Sequence, residues 1–384
     1  MKRITEGWIT ANATQNVCAA LTDAGAQALF VGGCVRNALL GAPVSDLDIS
    51  TDARPDRVME LAKQAGLKVI PTGIDHGTVT VLSGGIPHEI TTFRRDVETD
   101  GRRAVVAFSD RAEEDAARRD FTMNALYARP DGTILDPLHG LPDLQARHVR
   151  FIGNAADRIR EDYLRSLRYF RFHAWYGDAD KGFDPDALSA ISANLEGLSA
   201  LSRERVGAEL LKLLAAPNPA PSVAAMRQAG VLAQILPGAE DKALPVLIHL
   251  EHEASAAPDP IRRLAAIAPA DVAKTLRLSK AQLQRLTRMR DEAAGSASIA
   301  ELGFRYGAES GLHEALLRCA FLEQPWSDEM LLALKQGSEA DFPIKAKDLI
   351  PTFSGAALGR KLAELEARWI ASGFVLTREE LLAD

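Results

Sequence analysis

Residues 28–56 read ALFVGGCVRNALLGAPVSDLDISTDARPD, and the fold turns on them. The apolar run Ala28–Val31 has the length of a short buried strand. Gly32-Gly33 breaks it. Val35–Leu40 then has the spacing of one or two helical turns, stopped by Gly41 and Pro43. The chain turns at Ser45 and enters a second strand, Asp46–Ser50. Alternate residues of a strand share a face, so Leu47 and Ile49 can enter a core while Asp46 and Asp48 point together into a cleft. Two carboxylates on one rigid face are the hard oxygen ligands that magnesium takes. The glycine pair can leave backbone N–H groups free for a phosphate. Arg36, next to it, can hold a triphosphate oxygen or pair with a nearby acid. Together these features predict chemistry on a nucleoside triphosphate. A third acid is expected at such a site; Glu89 opens a later strand and either supplies it or faces solvent.

At 384 residues the chain can form two or more domains, each with its own core. Hydrophobic content of 47% and charged content of 25% fit a globular protein. The net charge of −7 excludes a protein built on an overall basic surface, but leaves room for a local basic face that binds RNA. Cys18, Cys34 and Cys319 make no zinc spacing and point to a reducing cytoplasm. The first residues hold no secretory apolar core, and no stretch is long and apolar enough to span a bilayer. The expectation is a cytoplasmic chain with no membrane and no protein partner evident.

Outward from the opening stretch, Asn12–Ala24 has helical period, and Pro55 starts a helix to about Gln64. Leu67–Ile70, Thr78–Leu82 and Glu89–Phe93 read as strands, the last two joined by a Gly-Gly hairpin signal. Arg94–Ala112 is charged and nearly aperiodic, and is expected to be a mobile loop. Glu113–Ala128 returns to helical period. Asp120 and Asn124 would then share a helix face, able to read a ribose hydroxyl beside Arg118 and Arg119, or simply to be a solvated face with a structural ion pair. Residues 1–152 are thus expected to form a mixed α/β catalytic domain.

From there the chain reads as helical: a neck over 153–216 and further helices over 217–384. One long helix is expected over Ala155–Trp175. It carries Asp162 and Arg165, three apart. An acid acceptor beside a guanidinium donor can mimic a base-pairing edge, accepting from cytosine N4 or adenine N6. The same spacing also makes an ordinary surface salt bridge. Glu161, Arg168 and Arg171 flank the pair as supporting residues. His249 and His252 lack a third ligand and read as surface histidines. Arg285, Arg288, Arg290, Lys345 and Lys347 are weak candidates for RNA contact.

With these residues in view, the chain resembles the class II tRNA nucleotidyltransferase and bacterial poly(A) polymerase family. Five segments match in order: GGCVRNALLG with DLDIST, ARRDFTMNAL, DPLHGLPDL, EDYLRSLRYFRF and SRERVGAEL. The resemblance implies an α+β fold, a polymerase-β-like head followed by a helical neck, body and tail, with the tail binding tRNA. It implies two Mg²⁺ ions on Asp46 and Asp48, and a triphosphate on Gly32, Gly33 and Arg36. Arg119 and Asp120, with Asn124, would handle the ribose and phosphate. Asp162 and Arg165 would be the template for CTP and ATP. Asn37 stands where the family usually has Asp, which weakens any salt bridge there. The segment TGIDHGTVTV, the absence of an Arg-rich insert and the acidic balance favour CCA addition to tRNA. The alternatives are a poly(A) polymerase, an enzyme adding only C or only A, or an RNA-binding module without catalysis.

Overall fold

The computed structural model describes residues 3–74, 77–100 and 103–383. These form two compact units, one of residues up to 213 with 221–235, the other of 214–220 with 236 onward.

The first unit begins with helices α1 (Gly7–Thr10) and α2 (Asn12–Thr22), which bury Ile9, Val17, Cys18 and Leu21. Strand β1 (Leu29–Val31) leads through the glycine pair into α3 (Gly33–Leu40), and β2 (Leu47–Thr51) follows. Helix α4 (Pro55–Gln64) has its proline in the first turn, where no N–H partner is needed. Strands β3 (Lys68–Gly73), β4 (Thr78–Ser83) and β5 (Ile86–Thr92) come next. They are followed by β6 (Arg94–Asp100), β7 (Arg103–Phe108), α5 (Ala112–Ala117), β8 (Tyr127–Ala128), β9 (Ile134–Leu135) and α6 (Leu141–Ala146). Seven strands make one sheet in the order β3-β4-β5-β2-β1-β8-β9. Only β2 and β5 run parallel, with Asp48 opposite Glu89. A core of Leu29, Val31, Phe93, Ala116, Ala125, Tyr127 and Ile152 backs the strands that carry the site.

The rest of this unit is helical: α7 (Ala155–Glu161), α8 (Leu164–Tyr176), α9 (Pro185–Ser192), α10 (Arg203–Leu214), α11 (Ala220–Gln228) and α12 (Val231–Ile235). Phe121, Phe151, Tyr169 and Phe172 interlock between α8 and the sheet-bearing segment. The described residues of the second unit are mainly helical, with a long helix at Lys280–Ala294 and a pair over Ile299–Leu322 that is broken at Gly307 (φ 78°, ψ 163°). A mixed sheet followed by helices is the α+β arrangement expected.

Three local expectations are corrected. The expected loop 94–112 holds the paired strands β6 and β7, running from Arg94 opposite Phe108 to Asp100 opposite Arg103. Mutual backbone pairing of the two strands overrides the charged composition of the segment. The expected helix 113–128 stops at Ala117. Phe121 is extended and bridges Phe151, while the Ile152 amide donates to the Asp120 carbonyl; this tertiary pairing draws the segment out of helix. The expected helix 155–175 is two helices. Asp162 is extended (φ −155°, ψ 105°), and its carboxylate accepts from the Leu164 amide to start α8. The Tyr163 ring lies on Gly197, which has no room for a Cβ.

Candidate active site

The site is built at the end of β1 and the start of β2. Because these strands are antiparallel, the glycine turn after Val31 lies beside the acids that open β2. Gly32 has φ 69° and ψ −117°, a conformation that glycine alone adopts readily, and caps α3. A Cβ there would lie 3.4 Å from Arg119 Nη1. The turn is therefore pressed against a guanidinium.

Asp46 is exposed just before β2 and accepts from the Ser45 hydroxyl at 3.0 Å. Asp48 is half-buried on β2, opposite the exposed Glu89 of β5. Burial pushes the Asp48 carboxyl up to about 6; Glu89 and then Asp46 add to this, and Arg119 opposes it. Among the described residues no three His, Cys, Asp or Glu side chains gather closely enough to hold a metal by themselves. The donor set nevertheless fits magnesium, which takes one or two protein carboxylates and completes its shell from substrate phosphates and water. A cation would also relieve the like charge crowded at Asp48.

Arg36 is buried, not open to solvent. It donates to Asn124 Oδ1 at 2.6 Å, Asn37 Oδ1 at 3.0 Å and the Tyr176 hydroxyl at 2.8 Å. Arg119 donates to Asp115 at 2.9 Å, to Ser50 Oγ at 3.4 Å and to the Tyr127 hydroxyl at 3.3 Å. Asp120 is buried and accepts from the Phe121 amide, from Asn124 Nδ2 and twice from Arg168. Four donors fill the capacity of one carboxylate, so a ribose hydroxyl on Asp120 needs one of them to yield. Asp120 and Asn124 still meet at 3.1 Å, although the expected α-helix is replaced by an extended Phe121 and a short 3-10 turn over Thr122–Asn124.

Asp162 and Arg165 are not paired with each other. Asp162 accepts from Arg205 Nη2 at 2.6 Å as well as from the Leu164 amide. Arg165 pairs with Glu161 and donates to the carbonyls of Arg158 and Arg118 at 3.0 and 3.1 Å. Glu161 also holds Arg158 at 2.9 Å, and Arg171 pairs with Glu209 of α10. The break between α7 and α8 explains the separation: the Arg165 amide still donates to the Asp162 carbonyl at 2.9 Å, but with Asp162 extended the two side chains do not share a helix face.

Sequence reasoning missed Asp115, Ser50, Tyr127, Tyr176, Arg205 and Glu209. Arg205 and Glu209 had a signal as members of the SRERVGAEL segment, Ser50 as a member of DLDIST and Asp115 by lying four residues before Arg119; Tyr127 and Tyr176 had none. The clusters offered for RNA contact fare unevenly: Arg285, Arg288 and Arg290 are engaged within their own unit by Asp259, Glu314 and the Ala268 and Pro269 carbonyls. Lys345 and Lys347 are exposed.

Two family profiles match this chain. The one described as "Poly A polymerase head domain" covers residues 28–150. The one described as "Probable RNA and SrmB- binding site of polymerase A" covers residues 182–242. The chain is similar to CCA tRNA nucleotidyltransferase 1, mitochondrial, of Mus musculus, at 33% identity over 376 residues, 92% of this chain and 85% of that protein. It is 42% identical over 220 residues to the CCA-adding enzyme of Geobacillus thermodenitrificans (strain NG80-2), covering 57% of this chain and 52% of that one. Its fold matches the Bacillus stearothermophilus CCA-adding enzyme in complex with CTP with a TM-score of 0.73 at 27% identity, covering 98% of this chain and 96% of that one. A third of positions shared along nearly the whole chain is likeness in both the sheet-bearing and the helical regions, not in one motif, and this chain belongs to the class II CCA-adding tRNA nucleotidyltransferases.

Proposed function

We propose that this protein adds CCA to the 3′ end of tRNA, taking CTP and ATP as substrates and releasing pyrophosphate. The observation that carries the reading is the Gly32-Gly33 turn, where a Cβ would lie 3.4 Å from Arg119 Nη1 at Gly32 and 3.9 Å from Arg36 Nη2 at Gly33, with Arg119 also acting on the Asp48 carboxylate. That arrangement suits a triphosphate that must be gripped at its tail and attacked at its α-phosphorus. The relatives' names and the CTP complex of a similar fold support the same reading.

Asp46 and Asp48 would hold Mg²⁺, two ions in the full site, with Glu89 as the third oxygen ligand. The metal would activate the tRNA 3′-OH and neutralise charge on the departing pyrophosphate. Gly33 offers its backbone N–H to the triphosphate, Gly32, whose own amide donates to the Leu126 carbonyl at 3.3 Å, offers close approach without a side chain, and Arg36 offers its guanidinium. Arg119, Asp120 and Asn124 orient ribose and phosphate, with Asp120 holding Arg168 and Asn124 in place. Asp162 accepts the exocyclic amine of cytosine or adenine on a free lone pair, and Arg165 donates to the ring edge beside it once released from its resting contacts. Glu161 holds Arg165, and Arg168 and Arg171 support the pair from the same helix through Asp120 and Glu209. In this reading residues 1–152 are the catalytic head, 153–216 the neck that carries the template, and 217–384 the body and tail that grip tRNA. We assign the protein to the cytoplasm; its three cysteines are free and buried, as suits a reducing compartment.

The test is incubation with Mg²⁺, all four triphosphates and a tRNA lacking CCA, followed by sequencing of the products. A CCA tail that stops is expected. A tail of A alone, or of C alone, moves the protein to one of the alternative activities; no extension and no pyrophosphate release overturns catalysis altogether.

A further inference from the structure

Arg36 is a buried cation held by neutral groups. Its residue is 6% exposed, and its three hydrogen-bond acceptors are two amides and a phenol. Nearby Asp120 is committed to Arg168, Asn124 and the Phe121 amide, and Arg171 adds repulsion. Arg36 Nε is buried with no hydrogen-bond partner among the described residues. A guanidinium stays charged under these conditions. Buried without a carboxylate, it keeps its attraction for an incoming anion.

Tyr176 makes the closest ring contact. It is the last residue of α8, and its ring centroid lies 3.9 Å from Arg36 Cζ; Phe172, one turn earlier, lies at 5.1 Å. The ring restricts the guanidinium plane, and the hydroxyl fixes Nη2. A carboxylate in that place would neutralise the charge, and an aliphatic side chain would leave Nη2 with Asn37 Oδ1 as its one acceptor among the described residues.

We propose that Tyr176 is a positioning residue for Arg36, holding its guanidinium beside the Gly32-Gly33 turn for the triphosphate of the incoming nucleotide and for the pyrophosphate that leaves. The proposal rests on the triphosphate role given to Arg36 above. It makes the end of the helix that carries Arg165 a part of the phosphate grip.

The experiment uses the full chain with Mg²⁺, a tRNA lacking CCA, CTP and inorganic pyrophosphate as inhibitor. The parent, Arg36→Ala, Tyr176→Phe and the double variant are compared, with thermal melting to confirm that each is folded. Tyr176→Phe keeps the ring and removes one hydrogen bond. It is expected to raise KM for CTP and the pyrophosphate inhibition constant about 3- to 10-fold, leave KM for tRNA unchanged, and add nothing in the Arg36→Ala background. Parental constants in Tyr176→Phe beside an impaired Arg36→Ala overturn the positioning role and leave the triphosphate reading standing. So does a Tyr176→Phe effect of equal size with and without Arg36. Parental constants in Arg36→Ala overturn both.

Discussion

At Asp48 burial and like charge work against the ionised carboxylate. Its carboxyl is half-buried opposite Glu89, and burial and like charge raise it to about 6. Such a carboxylate suits a cation better than a core. Asp46→Ala and Asp48→Ala are each expected to abolish nucleotide incorporation while circular dichroism stays native; near-parental incorporation in either sinks the metal assignment. Gly32 is the second residue where chemistry outweighs comfort. Any Cβ would have to adopt φ 69°, ψ −117° and sit 3.4 Å from Arg119 Nη1. Gly32→Ala is expected to cost about 1–3 kcal/mol in urea unfolding and to weaken nucleotide binding. An unchanged unfolding midpoint would show that the turn relaxes.

At the scale of elements, the break between α7 and α8 decides what the template can be. Asp162 sits in the break, tied to Arg205 of α10, so under the proposed template role base choice would depend on a helix some forty residues onward. Asp162→Ala is expected to erase the preference for CTP and ATP over UTP. Arg205→Ala is expected to blur it, with raised UTP incorporation in single-nucleotide assays. If Arg205→Ala selects like the parent, Asp162 holds its geometry through the Leu164 amide alone. In the second unit, His313 clasps two elements. Its Nδ1 faces Arg262 Nη1 at 2.8 Å and its Nε2 faces Arg285 Nη2 at 3.0 Å. Burial, with Arg262 next, lowers its pKa to about 4, against a pull upward from Asp259; Arg285 and Arg288 lower it further. The folded state thus binds fewer protons than the unfolded one between about 6.5 and 4, and stability falls as pH drops through that window. The loss is at most about 3 kcal/mol. His313→Gln is expected to flatten this slope when urea unfolding is compared at pH 7 and pH 5. A slope as steep as the parent's would assign it to other groups.

For the whole molecule, the two compact units do not follow the simple order of the chain. Residues 221–235 pack with the first unit, where Val223, Met226, Val231, Leu232 and Ile235 are buried and Ser222 Oγ meets His173 Nδ1 at 3.4 Å. Burying five such side chains is worth roughly 7–15 kcal/mol, as much as the whole stability of a typical domain. A fragment ending at residue 216 is therefore expected to lack a cooperative thermal transition, while one ending at 236 retains it. Cooperative melting of the shorter fragment would show that α11 and α12 are covers, not core.

Much of the fold and site was legible because it rests on local rules. Period two put Leu47 and Ile49 inward, and glycines stopped β1 and α3. Proline began α4, and the five matching segments named the family. These signals lie within a few residues of where they act. What escaped local reading was decided by distant partners. The pairing of β6 with β7 satisfies backbone groups in a segment whose composition reads as loop. The bridge from Phe121 to Phe151 overrides helical period around Asp120. Gly197 and Arg205, far along the chain, stabilise the break at Asp162 and Tyr163 and so part Asp162 from Arg165. The sequence by itself determined which residue types stand ready for metal, phosphate and base, because their chemistry and spacing are local. Only the tertiary structure decided which distant groups meet: Arg36 with Tyr176, Asp120 with Arg168 and Asp162 with Arg205. A buried charge takes its partner from whatever the packed chain brings within about 3 Å, and spacing along the chain does not encode that distance.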